Sequence, residues 1–301
     1  MNRRDFLTKG SFALAGLSFT SRLYAMSVSK PILGVQLYSI RDDMKKDPAN
    51  TLKQLSAMGY KYVEHAGYRN RQFYGYSAKD FKKQLDDLGL LMPSGHTVLG
   101  KQHWDAAKKD FTDEWKYTVE DAAAVGQHYV ISPWLDESLR NDYDSFMAFM
   151  DIFNKSGALC KRSGMKFGYH NHDFEFSKQI NGKKIFDLIL QSTDPTLVTQ
   201  QLDIGNMYHA GGVALDIMKQ YPGRFELMHV KDEIKAAKGG EMGHEYESTV
   251  LGKGIIPVKE ILEVGKKNGT RYFIIEQESY QGQAPIDAVK DDLIVMKKWG
   301  F

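Results

Sequence analysis

In QLDIGNMYHAGG, residues 201–212, an apolar run ends in Asp203, breaks at Gly205, and then carries Asn206 and His209. Asp203 is either a helix cap or one corner of a polar site. The same arrangement, a short apolar run closing on residues that can carry a proton or a metal, recurs along the chain. Runs close at Gln36 and Tyr38, at Glu64 and His65, at His96, at His229 with Lys231 and Asp232, and at Glu276 with Glu278. Another run passes into YHNHDFEF, which holds His170, His172 and Glu175. If these runs are strands, side chains alternate, so His229 shares a face with Lys231 and Glu276 with Glu278. Such groups are costly to bury alone and must meet each other, water or a metal. Two carboxylates and an imidazole converging on one axis make a site for a hard or borderline divalent cation. Cys160 is the sole cysteine, so no thiolate set is available and Mn²⁺, Mg²⁺, Zn²⁺ and Fe²⁺ all fit.

The elements that must position these residues are read from patterning. Candidate strands are ILGVQLYS, KYVEHAG, LLMPSGHTV, HYVISPW, KFGYHNH, LVTQQLDIG, FELMHVKD and RYFIIEQE, each bounded by Gly, Pro or Asp. Amphipathic segments lie between them, such as VKEILEVGKKNG, where Val258, Ile261 and Leu262 keep helical spacing. Asp47 before Pro48 reads as an N-cap followed by proline at the first helical position. In AMGYKYVE, DLGLLMP, RSGMKFG and KNGTRYF a glycine separates a helix from the next strand, where a left-handed C-terminal residue is wanted. Strands alternating with helices over residues 30–301 predict an α/β fold, a single (β/α)8 TIM barrel. A doubly wound sheet ranks second, because no GxGxxG follows the first strand. In such barrels the chemistry sits at the carboxyl ends of the strands, which is where the polar residues fall.

The chain of 301 residues is 42% hydrophobic and 26% charged, which is globular composition. Its 40 basic and 38 acidic residues leave a net charge of +2, which argues against a nucleic-acid or anionic-membrane surface. Residues 1–25 differ from the rest. Arg3 and Arg4 precede Phe6, Leu7 and Lys9, and a short apolar run extends from Phe12 to Phe19. The run is shorter than a membrane span, and the segment resembles a twin-arginine export signal. That resemblance implies cleavage near Ala25, no stable membrane anchor and a periplasmic destination.

The ordered set YHNHDFEF, QLDIGN, MHVKD, GKGIIPVKEIL and FIIEQE resembles the xylose isomerase-like TIM-barrel superfamily, over essentially residues 31–299. The resemblance implies a divalent metal held by Asp203, His229 and Glu276. Where relatives often read Glu-Asn-His after strand five, this chain has His170, Asn171 and His172. Either His170 replaces the carboxylate or Glu175 reaches in, and Glu175 is favoured because a carboxylate keeps the site neutral. Asp203 thus reads as a ligand rather than a cap. Glu276 and Glu175 are the implied acid/base pair. Gln36, Glu64, His96, His170, His172, Asn206 and Lys231 are candidate substrate contacts, with Trp104 and Trp134 in or near loops where a sugar face could stack. The implied activity is metal-dependent sugar isomerisation or epimerisation, by proton abstraction next to a carbonyl. Elimination or hydration of an inosose-type substrate or keto-glycoside begins from the same enolate. A non-catalytic sugar-binding barrel is the third reading.

Overall fold

Each of the eight apolar runs forms a strand: β1 Ile32–Gln36, β2 Tyr62–His65, β3 Leu91–His96, β4 Tyr129–Ser132, β5 Lys166–His170, β6 Val198–Asp203, β7 Leu227–Val230 and β8 Tyr272–Ile275. They pair in parallel in chain order, and β8 returns to β1, so the sheet closes without an edge. The computed structural model describes residues 30–301, and the export signal expected over 1–25 lies outside the described residues.

A helix follows each strand: α1 Pro48–Met58, α2 Ala78–Asp87, α3 Asp113–Val125, α4 Tyr143–Arg162, α5 Ile185–Ser192, α6 Ala214–Gln220, α7 Val258–Lys267 and α8 Pro285–Trp299. Asp47 caps α1 as expected, its carboxylate accepting the Asn50 N–H at 3.0 Å. Gly59 ends the same helix at φ +98°, a conformation that side chains resist. Among the described residues no helix is long and apolar enough to cross a membrane.

Alternation divides each strand between two environments. Outward residues such as Val35, Val63, Phe167, Leu202, Met228 and Phe273 pack beneath the helices. The inward set changes character along the barrel axis. Tyr129, Ile131, Leu227, Tyr272 and Ile274 make a small apolar plug. One pleat further on, Gln36, Glu64, Ser94, Gln201, Asp203 and His229 are all fully buried. The register sets Gln36 beside Glu64, Glu64 beside Ser94, and Asp203 beside His229.

The loops at this end carry small antiparallel insertions that the sequence reading did not anticipate. Residues Tyr68–Arg69, Gln72–Phe73 and Tyr76–Ser77 form a three-stranded flap after β2. A hairpin of Asp232–Lys235 with Tyr246–Thr249 follows β7.

Candidate metal centre and active site

Four buried side chains converge at the carboxyl end of the barrel: His170, Asp203, His229 and Glu276 each offer one ligand atom, all within 4.8 Å of one another. His229 Nδ1 lies 2.9 Å from Glu276 Oε2 and 3.7 Å from Asp203 Oδ2, and His170 Nε2 lies 4.0 Å from that same Oδ2. Cap and ligand, posed as alternatives for Asp203, do not compete, because the cap uses only one of its carboxylate oxygens. Its Oδ1 accepts the Asn206 N–H at 2.7 Å and so caps the short helix Ile204–His209. Its Oδ2 is buried without a hydrogen-bond partner. Asn171 fixes the backbone there, accepting the Asp203 N–H and donating to the Asp203 carbonyl, both at 3.0 Å.

Beneath this cluster Glu64 is a hub. One oxygen accepts from Gln36 Nε2 at 2.8 Å and meets His229 Nε2 at 2.6 Å. The other accepts from Gln201 Nε2 at 2.8 Å and from the Ser94 hydroxyl. A carboxylate behind an imidazole fixes the ring's orientation and raises its basicity. His229 is thereby held with Nδ1 turned to Asp203 and Glu276.

Burial works against every charge here, and the neighbours decide the outcome. Against burial, Lys231 and His229 hold Asp203 below the usual carboxylate range. The same two residues hold Glu276 at about 2. Lys231 stays an ammonium because Asp203, Glu276 and Glu278 outweigh its complete burial, with Glu278 at 2.6 Å and Glu276 at 3.1 Å. His170 goes the other way: burial and the rings of His229, His96 and His172 keep it neutral. Burial also lowers His172, to about 4. The neutral imidazole of His170 and the ionised carboxylates of Asp203 and Glu276, the first with its Oδ2 unbonded, fit a divalent cation, for which His229 would give up its Nδ1 proton.

Of the two strand-five alternatives, the structure brings His170 into the cluster and leaves Glu175 out. Glu175 lies on the short helix Phe174–Ser177, where its oxygens meet the Tyr169 hydroxyl at 2.5 Å and the His172 N–H at 2.9 Å. Burial raises its carboxyl to about 8. The pairing of Glu175 with Glu276 is therefore not what the geometry provides.

A cavity of about 850 Å³ opens above the cluster. Of the expected contacts, His96, His170, His172 and Asn206 line it, with Glu276, Glu278 and Tyr38. Gln36, Glu64 and Lys231, expected as substrate contacts, are buried below the lining together with Asp203 and His229. Trp134 lines the cavity, edge-on to His172 at 5.1 Å between ring centroids, whereas Trp104 packs on Phe111 away from it.

The sequence reading missed the wall opposite. Tyr68, Asn70 and Arg71 of the flap and Tyr117 of α3 line the cavity. Asn70 and Arg71 have left-handed backbones at φ 51° and 61°. The Arg71 guanidinium grips Asp121 of α3 with two hydrogen bonds of 2.8 and 3.0 Å, which closes the flap against that helix. The available signal was GYRNRQFYGYS, too polar and aromatic for a plain connection.

Residues 52–299 match the family described as xylose isomerase-like TIM barrel. An inosose dehydratase of Clostridium perfringens is 29% identical over 173 residues, which are 54% of this chain and 54% of that protein. The chain thus spans about half the length of that relative. One from Clostridium beijerinckii is 26% identical over 252 residues, 76% of this chain and 80% of that protein. A structure of a sugar phosphate isomerase/epimerase from Parabacteroides distasonis superposes with a TM-score of 0.76 at 25% identity, covering 89% of this chain and 94% of that one.

Proposed function

The chain belongs to the xylose isomerase-like TIM barrel family, and from that membership we propose that it is a divalent-metal-dependent lyase acting on a keto-polyol of the inosose class or on a keto-glycoside. The observation that carries the proposal is the His170–Asp203–His229–Glu276 cluster, beside a cavity that His172 and Glu278 also line. The names of the Clostridium relatives favour elimination over isomerisation.

A divalent ion held by the four residues would supply the positive charge that stabilises an enolate oxygen. His172, a neutral ring on the cavity wall, takes the proton from the carbon next to the ketone. The electron pair left on that carbon forms the new C=C bond and expels the oxygen substituent one carbon further on. A proton relayed through Glu278, on the cavity wall against the Lys231 ammonium, passes to that oxygen, which departs as water from a polyol or as an alcohol from a glycoside. Lys231 holds Glu276 and Glu278 in place. Tyr38, Tyr68, Tyr117 and Trp134 offer aromatic faces to the ring of a sugar.

Isomerisation or epimerisation is the second reading, supported by the name of the Parabacteroides distasonis neighbour. It shares the proton removal and differs only in returning the proton to carbon. The test is incubation of metal-loaded protein with an inosose and a 3-keto-glucoside in deuterated water. Loss of water or alcohol identifies the lyase, and deuterium uptake at unchanged composition identifies the isomerase. Undiminished turnover after chelator stripping ends both. His172→Gln should lower turnover by about 10²–10⁴-fold at unchanged metal content.

A further inference from the structure

A second set of potential ligands lies against the short helix Ile204–His209, made of residues that the mechanism does not use. His209 ends that helix, Glu233 is on the β7 hairpin, and Glu241 begins the turn at the hairpin's tip. Each offers one ligand atom, and the three atoms lie within 4.8 Å of one another. His209 Nε2 is 3.2 Å from Glu233 Oε2, with both side chains 0% exposed. The two atoms are not aligned for a hydrogen bond. Both ring nitrogens of His209, both oxygens of Glu233 and Oε2 of Glu241 are buried without a hydrogen-bond partner. Glu241 is aimed by Ser248, whose N–H and hydroxyl occupy its other oxygen at 2.8 and 2.5 Å.

Of the five, only His209 Nε2 and Glu233 Oε2 face each other, and burying the rest without a partner is costly. Lys231 does not relieve them, because its ammonium contacts Asn206, Glu276 and Glu278. The backbone is shaped for the approach: a Cβ at Gly205 would sit 2.6 Å from Glu233 Oε1 and 2.7 Å from Lys231 Cβ. Ligand atoms on a tetrahedral zinc stand about 3.4 Å apart, close to the His209–Glu233 spacing. We propose that His209, Glu233 and Glu241 form a second divalent-cation site, taking zinc or manganese, which clamps the β7 hairpin to the helix that Asp203 caps. The proposal stands apart from the lyase reading, since it uses none of that reading's ligands.

The experiment is zinc titration of the chelator-stripped full chain, with bound metal counted by mass spectrometry. The wild type should hold two ions, and His209→Gln, Glu233→Gln and Glu241→Gln should each hold one. Zinc should also protect residues 236–245 from limited proteolysis in the wild type and in Asp203→Asn, but not in Glu233→Gln. Glu241→Gln, nearer the surface, serves if the two buried variants do not fold. One ion per chain, lost in Asp203→Asn and kept in the hairpin variants, overturns the proposal. An ion lost in Glu233→Gln but not in Asp203→Asn leaves it standing and instead overturns the first centre.

Discussion

At strand five the fourth corner of the cluster turns on one side chain's position. His170 lies on the inward parity of β5 with Lys166 and Gly168, so alternation alone points it at the axis. Glu175 falls past the strand end on a short helix, where spacing no longer predicts direction. Charge counting favoured the carboxylate and was outweighed by geometry. His170→Gln is expected to lose metal and Glu175→Gln to keep it, measured as bound metal per chain after equilibration with zinc. Glu175 also has a pH signature. Its carboxyl is raised from 4.5 to about 8 by burial, so between those values the folded chain holds a proton that the unfolded chain releases. Stability should therefore fall as pH rises through that window, by up to about 1.4 kcal/mol per unit. Glu175→Gln mimics the uncharged form and keeps an oxygen that can accept from the Tyr169 hydroxyl, so it should flatten the slope. Parallel slopes in urea unfolding between about pH 5 and about pH 8 would count against this.

Among the elements, the barrel strands were legible and the insertions were not. Period-two alternation and the helix-ending glycines are local signals, and all eight expected strands lie in the barrel. The flap after β2 and the β7 hairpin are built from pieces of two to four residues, too short for periodicity to register. The ring of polar strand ends was likewise visible, yet which of its members reach the cavity was not, because alternation gives a face and not a depth. Gln36 and Glu64, expected as contacts, are fully buried and absent from the cavity lining. The β7 hairpin depends on Asp232, whose carboxylate accepts the N–H groups of Gly252 and Gly254 at 2.8 and 2.9 Å through one oxygen. The other oxygen takes those of Ile256 and Glu233 at 3.1 and 3.0 Å. A Cβ on Gly254 would come within 2.1 Å of that carboxylate, so the loop wraps it closely. Asp232→Ala leaves these donors without their acceptor and should cost about 2–4 kcal/mol in urea unfolding. A loss below about 0.5 kcal/mol would mean that water or the loop itself satisfies them.

For the whole molecule, the expected export signal makes the order of folding and metal binding a question the candidate centre can test. Its ligands come from β5, β6, β7 and the end of β8, so the cluster exists only once the barrel has closed. A chain threaded unfolded through a membrane would meet its metal outside, in competition with whatever ions prevail there. A chain exported folded could carry an ion chosen inside. The twin arginines at Arg3 and Arg4, expected to direct the second route, lie ahead of the first barrel strand at Ile32. Replacing both with lysine keeps the charge but removes the guanidinium pair, so it isolates recognition from simple basicity. The double variant should accumulate in the cytoplasm as a folded, metal-loaded barrel, while the wild type appears outside with the same metal. Cell fractionation followed by metal analysis of both pools checks this. Equal export of the double variant would remove the twin-arginine assignment, and an exported wild type free of metal would separate export from loading.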